Sequence, residues 1–276
     1  MSLLWATLIV LVVTALAITA MLLVRRRAPE GSYFEDGDRA AGVFGVLATG
    51  LAILLGFVVF LAFESYDASR SGAEAEAQLV RQQFETAQFF PQPARARLSG
   101  QLTCYARNVI HEEWPKMESG TIGDSLNPWV FTMFRTLMTV KPKSPSEQAA
   151  YAKWLDERAD REDARADRVH GAEGVIPVPI WIVLVLSAAI IFVFMMFFAD
   201  SAERAVVQAT MIGGVAVVIT STLLVVLFLN NPYHSGVGGL RPVAMERAIR
   251  ILDQESAEVG IKLDPPCDER GAPRGG

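Results

Sequence analysis

His111-Glu112-Glu113-Trp114-Pro115 is the densest run of groups able to hold a metal or move a proton. A zinc-protease pair needs a second histidine at i+4, and Pro115 takes that place and interrupts the helix. Cys104 and His111 share a helix face but lie about two turns apart, too far to act as nucleophile and base. Three histidines are too few for most metal or acid–base schemes, and no G-x-S-x-G elbow or phosphate-binding loop occurs. His111 reads as a surface residue. The residues argue against an enzyme and name no cofactor and no metal set.

The best constellation is interfacial. Glu64, Tyr66, Asp67 and Arg70 follow one apolar run, and Asn231, Tyr233 and His234 follow another, so both sets should exit on one side at one depth. One reading is anchoring by tyrosine, with Asp67 and Arg70 paired one turn apart. The other is a polar vestibule, the mouth of a pore for a small ion, or a lipid-headgroup site. The apolar runs themselves contain no Asp, Glu, Lys, Arg or His, which coupled carriers usually need near the midplane. Gln208, Thr210, Thr220, Ser221 and Thr222 are read as bonding back to their own helix.

The elements that position these residues are helices in a bilayer. A chain of 276 residues that is 51% apolar reads as an all-α integral membrane protein with a modest extramembrane part. Residues 1–24 form the first span. Ala15-Leu16-Ala17 resembles a signal cleavage site, but the run lacks a basic start and is too long for a signal core. A polar linker, 25–40, leads to the second span, 41–63. No stop follows it, and good helix formers continue the helix into water until Pro91. Spans three and four cover 176–198 and 205–229, joined by a tight hairpin. Ala48, Ala52 and Gly56 make a seam at i, i+4, i+8 that Ala205, Ala209 and Gly213 repeat, and small residues let helices approach closely in lipid.

Residues 64–173 read as a helical domain without strand alternation. Pro91-Gln92-Pro93 breaks the long helix, and the next runs from about Ala94 until Pro115 ends or kinks it. Asn127-Pro128 starts a helix that is apolar nearly all round and so should be the buried one. Ser144 and Glu147 form a capping box, and Tyr151, Trp154 and Leu155 share a side of the helix it opens. Asp156 to Arg168 reads as a solvated charged face, with Glu157–Arg161 a supporting pair. Residues 230–276 hold a turn, an amphipathic helix with the stripe Met245, Ala248, Ile249 and Leu252, and a flexible tail from Gly271.

Arg25, Arg26, Arg27, Arg39 and Arg204 crowd the two short loops, which places those loops in the cytoplasm and both termini and the 64–173 domain outside. Cys104 and Cys267 would then share an oxidising compartment, either joined as one disulfide or with Cys104 as a small buried apolar residue. The net charge of −5 is mild, and 64–173 is slightly acidic, which argues against nucleic acid as a partner.

Several short motifs in order resemble a known family. They are Glu64-x-Tyr66-Asp67-x-x-Arg70, Ala75-Glu76-Ala77, Pro91-x-Pro93, Arg97 and Tyr105, Glu113-Trp114-Pro115-x-Met117, Asn231-Pro232-Tyr233, Gly236 and Pro242. The pattern is similar to the bacterial bestrophin-like family, also called domain of unknown function 4239. The resemblance departs at Asn231, where the family usually has Asp, and at Arg241-Pro242, where Ser-Pro is expected. It implies a relation to bestrophins, pentameric chloride channels whose second helices line the pore and whose helical part is cytoplasmic. Two features of this chain differ: its arginines place the domain outside, and Phe57, Phe60 and Phe63 fall at i+3 steps where a bestrophin neck has i+4. Acidic rings of Glu64 and Asp67 would repel anions.

The expectation is therefore a four-span homo-oligomer of the bacterial plasma membrane that forms a bestrophin-like ion channel or pore. The alternative is a non-conducting envelope sensor or scaffold acting through its exterior domain.

Overall fold

Apolar helices long enough to cross a bilayer recur four times in the computed structural model: α1 (Leu3–Arg25), the first part of α2 (Gly37–Ala87), α7 (Val178–Met196) and α8 (Ala205–Leu229). The structure describes residues 3–122, 126–258, 260 and 263–274. Among these, the remaining regular elements are α3 (Ala94–Asn108), a π turn (Val109–Glu113), α4 (Trp114–Glu118), α5 (Pro128–Met138), α6 (Pro145–His170), a short 3-10 turn (Gly171–Glu173) and α9 (Val243–Glu258). The protein is an all-α membrane protein.

The chain divides into two units. In the membrane unit, residues up to Ser65 with Val175–Asn230 and Ser235–Val237, α1 packs chiefly on α8. Gly213 is the point of closest approach: a Cβ there would meet Ile18 Cδ1 at 3.1 Å and Thr14 at 3.6 Å. Leu51, Leu55 and Val58 of α2, at i, i+4, i+7, bury against Leu184, Ala188 and Ile191 of α7 and Ile219 and Val226 of α8. The two short loops lock together. Arg25 donates to the Ser201 carbonyl (3.0 Å), Tyr33 N to the Phe197 carbonyl (3.2 Å) and Gly31 N to Asp200 (3.1 Å), while Phe34 packs among Phe194, Phe197 and Phe198.

The extramembrane unit, Tyr66–Gly174 with Asn231–His234 and the chain from Gly238 onward, has its own core. Val80, Phe84, Leu98, Leu102, Val109, Met133, Leu137, Trp154 and Leu252 are all buried in it. The buried helix is α3, whose residues Leu98 to Ala106 are all buried, and not the apolar helix α5, which exposes Phe131 and Met138. Polar groups of α3 find partners inside: Gln101 Nε2 donates to Thr136 Oγ1 (3.0 Å) and Thr103 to the Ser99 carbonyl (3.3 Å), although Gln101 Oε1 has none among the described residues. Both expected caps form, with Asn127 Oδ1 accepting from Trp129 N (3.1 Å) and Ser144 Oγ from Glu147 N (3.2 Å). Pro115 does not end its helix. It lacks an N–H and crowds the carbonyl four residues back, and the wide turn Val109–Glu113 just before it absorbs the mismatch.

The tail from Gly271, expected to be flexible, is ordered through Arg274; residues 275 and 276 lie outside the described residues. Cys267 and Cys104 form a disulfide. Trp129 Nε1 donates to the Gly271 carbonyl (2.7 Å) and Arg107 to the Asp268 carbonyl (3.2 Å). Gly271 has φ +83°, and a Cβ there would run into Asn108 and to 2.8 Å from the Cys104 carbonyl, so only glycine seats this turn on α3.

Candidate functional site: a buried ion-pair network in the extramembrane unit

The site begins with one close approach. A Cβ on Gly72 of α2 would lie 2.6 Å from Arg168 N and 2.7 Å from the Ala164 carbonyl, so the missing side chain lets α6 press onto α2. One turn along α2 stands Glu76, and the fully buried Arg168 guanidinium reaches both of its oxygens, Oε1 at 3.0 Å and Oε2 through Nε. Arg168 Nη2 also donates to Glu113 Oε2 at 2.6 Å, and Arg165 donates to Glu113 Oε1 at 3.3 Å. The π turn ends at Glu113 and leads straight into Trp114, whose ring centroid lies 5.8 Å from the Arg168 guanidinium carbon. Tyr105 donates to Glu76, and Tyr233 donates to the Arg168 carbonyl while meeting Trp114 edge-on at 5.4 Å.

Glu113 and Arg168 are held in their ionised forms. Burial raises the Glu113 carboxyl, but Arg168 and Arg165 outweigh it and hold it below the usual range. Burial opposes the Arg168 charge, yet Glu76 and Glu113 push it well above the ordinary guanidinium value. Tyr105 is raised by burial and by Glu76, and Tyr233 by burial, so both phenols stay protonated donors. Both carboxylates are already neutralised by guanidinium, so neither is spare to ligate a metal or serve as a general base. What the arrangement can do is hold α2, α3, α6 and the 231–234 turn in one geometry. Desolvating such ions costs several kcal/mol each, which only multiple good bonds offset.

A second buried cation adjoins it. Arg161 is fully buried, donates to Gln83 Oε1 at 2.6 Å and stacks 4.5 Å over the Tyr105 ring. Burial lowers its pKa.

Arg168 Nη1 also lies 3.3 Å from Met117 Sδ, so the network includes Glu76, Tyr105, Glu113, Trp114, Met117 and Tyr233, drawn from four stretches of the sequence. The profile of the bestrophin-like domain matches residues 9–245. The chain belongs to the bestrophin-like family. This bestrophin-like chain is similar in structure to a tryptophan-to-alanine mutant of a bacterial Bestrophin homolog from Klebsiella pneumoniae, with TM-score 0.68 and 11% identity over 90% of this chain and 97% of that one. The same homolog solved by Zn-SAD phasing gives TM-score 0.65 at 11% identity over 95% and 100%. A glycine-to-alanine mutant described as a membrane protein gives 0.67 at 12% identity over 93% and 99%. At such identities the likeness shows the fold. No curated protein matches the chain.

In this bestrophin-like chain the residues of the interfacial cluster have different surroundings. Glu64 and Asp67 are exposed, as is Asn231. Tyr66 donates to the Gly238 carbonyl at 2.7 Å. Arg70 pairs with Glu74 at 3.3 Å and not with Asp67, since the i+4 glutamate offers the better reach. Tyr233 is no interface anchor, because its ring is buried and its hydroxyl serves the network. His234 is half-buried, and burial lowers its pKa. The two seams differ as well. On α8, Gly213 is filled by α1, with Ala205 and Ala209 half-buried beside it. On α2, Ala52 and Gly56 are exposed, Ala48 is half-buried, and a Cβ on Gly56 would meet nothing.

The charged half of α6 is solvated on one side only: Asp156, Asp160 and Asp163 are exposed, while Glu157, Arg161 and Arg168 are buried. Glu157 bonds Thr86 (3.0 Å) and Lys153 (3.1 Å), leaving Arg161 to Gln83. A signal existed: Trp154, Glu157, Arg161, Ala164 and Arg168 recur at steps of three and four, continuing the stripe that Ala150 and Trp154 begin.

Proposed function

We propose that this bestrophin-like chain assembles as a homo-oligomeric pore in the bacterial plasma membrane, with α2 of each copy turned towards a common axis. The observation that carries the reading is the open face of α2. Its opposite face is filled by Leu51, Leu55 and Val58, whereas a Cβ on Gly42, Gly45, Gly50 or Gly56 would meet nothing and Phe57, Phe60 and Phe63 stand exposed. Small residues on an unfilled face suit close helix approach between copies. In this reading Glu64 and Asp67 form acidic rings at one mouth and favour cations. The disulfide supports an exterior position for the extramembrane unit, since such bonds persist in oxidising compartments, and the arginine-rich short loops agree with it.

Cross-linking tests the assembly. Single cysteines replacing Gly45 or Gly56 are expected to link copies in isolated membranes, while one replacing the exposed Val178 of α7 should not. Equal or weaker linking from α2 than from α7 contradicts the reading.

A second reading is an envelope scaffold or sensor that does not conduct. It is favoured by α5, where Phe131 and Met138, two turns apart on one face, are 56% and 64% exposed. Such a face suits a protein partner.

A further inference from the structure

Within the extramembrane unit, α2 and α9 do not close fully on each other. Between them lies a groove of about 750 Å³ whose lining includes Arg70, Arg81, Arg241 and Arg247 against Glu74 and Glu85, a formal excess of two positive charges. The space exists because the facing positions are small: Ala73 and Ala77 on α2, Ala244 and Ala248 on α9. Larger side chains there would fill it, as they do in the neighbouring core.

The arginines are not all consumed by local carboxylates. Arg70 is bound to Glu74 at 3.3 Å, and Arg81 is shared between Glu85 at 3.9 Å and Glu255 at 3.6 Å. Both are long for a good charged pair. The Arg81 Nε has no partner among the described residues, and Arg247 makes no ion pair among them. Leu240, Val243 and Ile251 add apolar surface beside this charge. Guanidinium forks beside small apolar side chains suit a planar or tetrahedral oxyanion that carries an apolar part.

We infer that the α2–α9 groove binds a phosphate-bearing anion, held by Arg70 and Arg247 and flanked by the alanine floor. Two sources share this chemistry. One is an anionic phospholipid headgroup, since Arg70 follows the last apolar residue of the span, Phe63, by about 10 Å of helix rise. The other is a soluble phosphate ester. The site does not depend on conduction.

The test uses the full-length protein, purified in detergent and in nanodiscs. The probes are phosphatidylglycerol, phosphatidylcholine and sn-glycerol 3-phosphate, read by native mass spectrometry and thermal unfolding. Phosphatidylglycerol should be retained at least ten-fold more than phosphatidylcholine and should raise the unfolding midpoint by a few degrees. Displacement of it by millimolar glycerol phosphate assigns the soluble source, and failure to displace it assigns the lipid; either outcome supports the site. Arg70→Gln with Arg247→Gln should lower retention about ten-fold. Ala244→Leu, which fills the groove and keeps every charge, should do the same. An intact Cys104–Cys267 disulfide and a monodisperse elution profile report that each variant is folded. Equal retention of the two lipids, or unchanged retention in both variants, overturns the proposal.

Discussion

Arg168 of α6 grips both carboxylate oxygens of Glu76 on α2, a residue 92 positions earlier, with both side chains fully buried. Removing one partner strands the other as an uncompensated buried charge. Arg168→Met should therefore destabilise the extramembrane unit by about 3–5 kcal/mol. Arg165→Gln should cost less, because that side chain is partly exposed and its bonds to Glu113 are longer, at 3.3 Å, than the Arg168 bond at 2.6 Å. Gly72→Ala should cost about 1–3 kcal/mol by forcing α6 off α2. Thermal unfolding of the three purified variants checks the ranking.

Glu113 gives the network a pH dependence of known sign. Its folded pKa lies below the ordinary glutamate value, because Arg168 and Arg165 outweigh the burial that opposes them. Its contribution is therefore fully present above the unfolded pKa of about 4.3 and is lost as pH falls through the lower folded value. The unfolding midpoint should respond little to this group near neutrality and fall with acid below about pH 4. Glu113→Gln should lower stability at neutral pH and flatten that acid limb. An unchanged limb would remove Glu113 from the titration.

Helices, spans and both caps were legible because each rests on local chemistry: apolar runs, Asn127-Pro128, and Ser144 with Glu147. The network was not, because it joins residues from distant stretches and because charge on a helix ordinarily means solvent. Arg161 and Arg168 are inside only through glycine at position 72 and acceptors on α2 and the π turn. The π turn itself was hidden, since Pro115 marks a disturbance without stating its form. Asp67 and Arg70 were within pairing distance by spacing, but Glu74 competes for the same guanidinium, and spacing cannot rank the two.

The disulfide closes a loop between residues separated by 163 positions and fixes the tail on α3. Cys104→Ala with Cys267→Ala should destabilise the extramembrane unit by about 2–5 kcal/mol. It should also expose the Gly271 turn to protease. Non-reducing peptide mapping of protein from the envelope should recover the linked pair; free thiols at both positions contradict it.

Orientation is read by single-cysteine labelling in intact cells. A cysteine at the exposed Glu118 should react with an impermeant thiol reagent, and one at the exposed Glu30 should not. The opposite pattern would move the extramembrane unit into the cytoplasm and remove the oxidising compartment from the account of the disulfide.

Ion flux through the purified protein in liposomes, under separate K⁺ and Cl⁻ gradients, tests the pore most directly. Wild-type protein should carry K⁺ above the background of empty vesicles. Glu64→Gln with Asp67→Asn should shift the preference towards Cl⁻, because unit charges ~4 Å apart interact by several kcal/mol near a protein surface and these rings would be neutralised. If the wild type stays at background in every oligomeric preparation, the pore is contradicted and the scaffold reading takes its place.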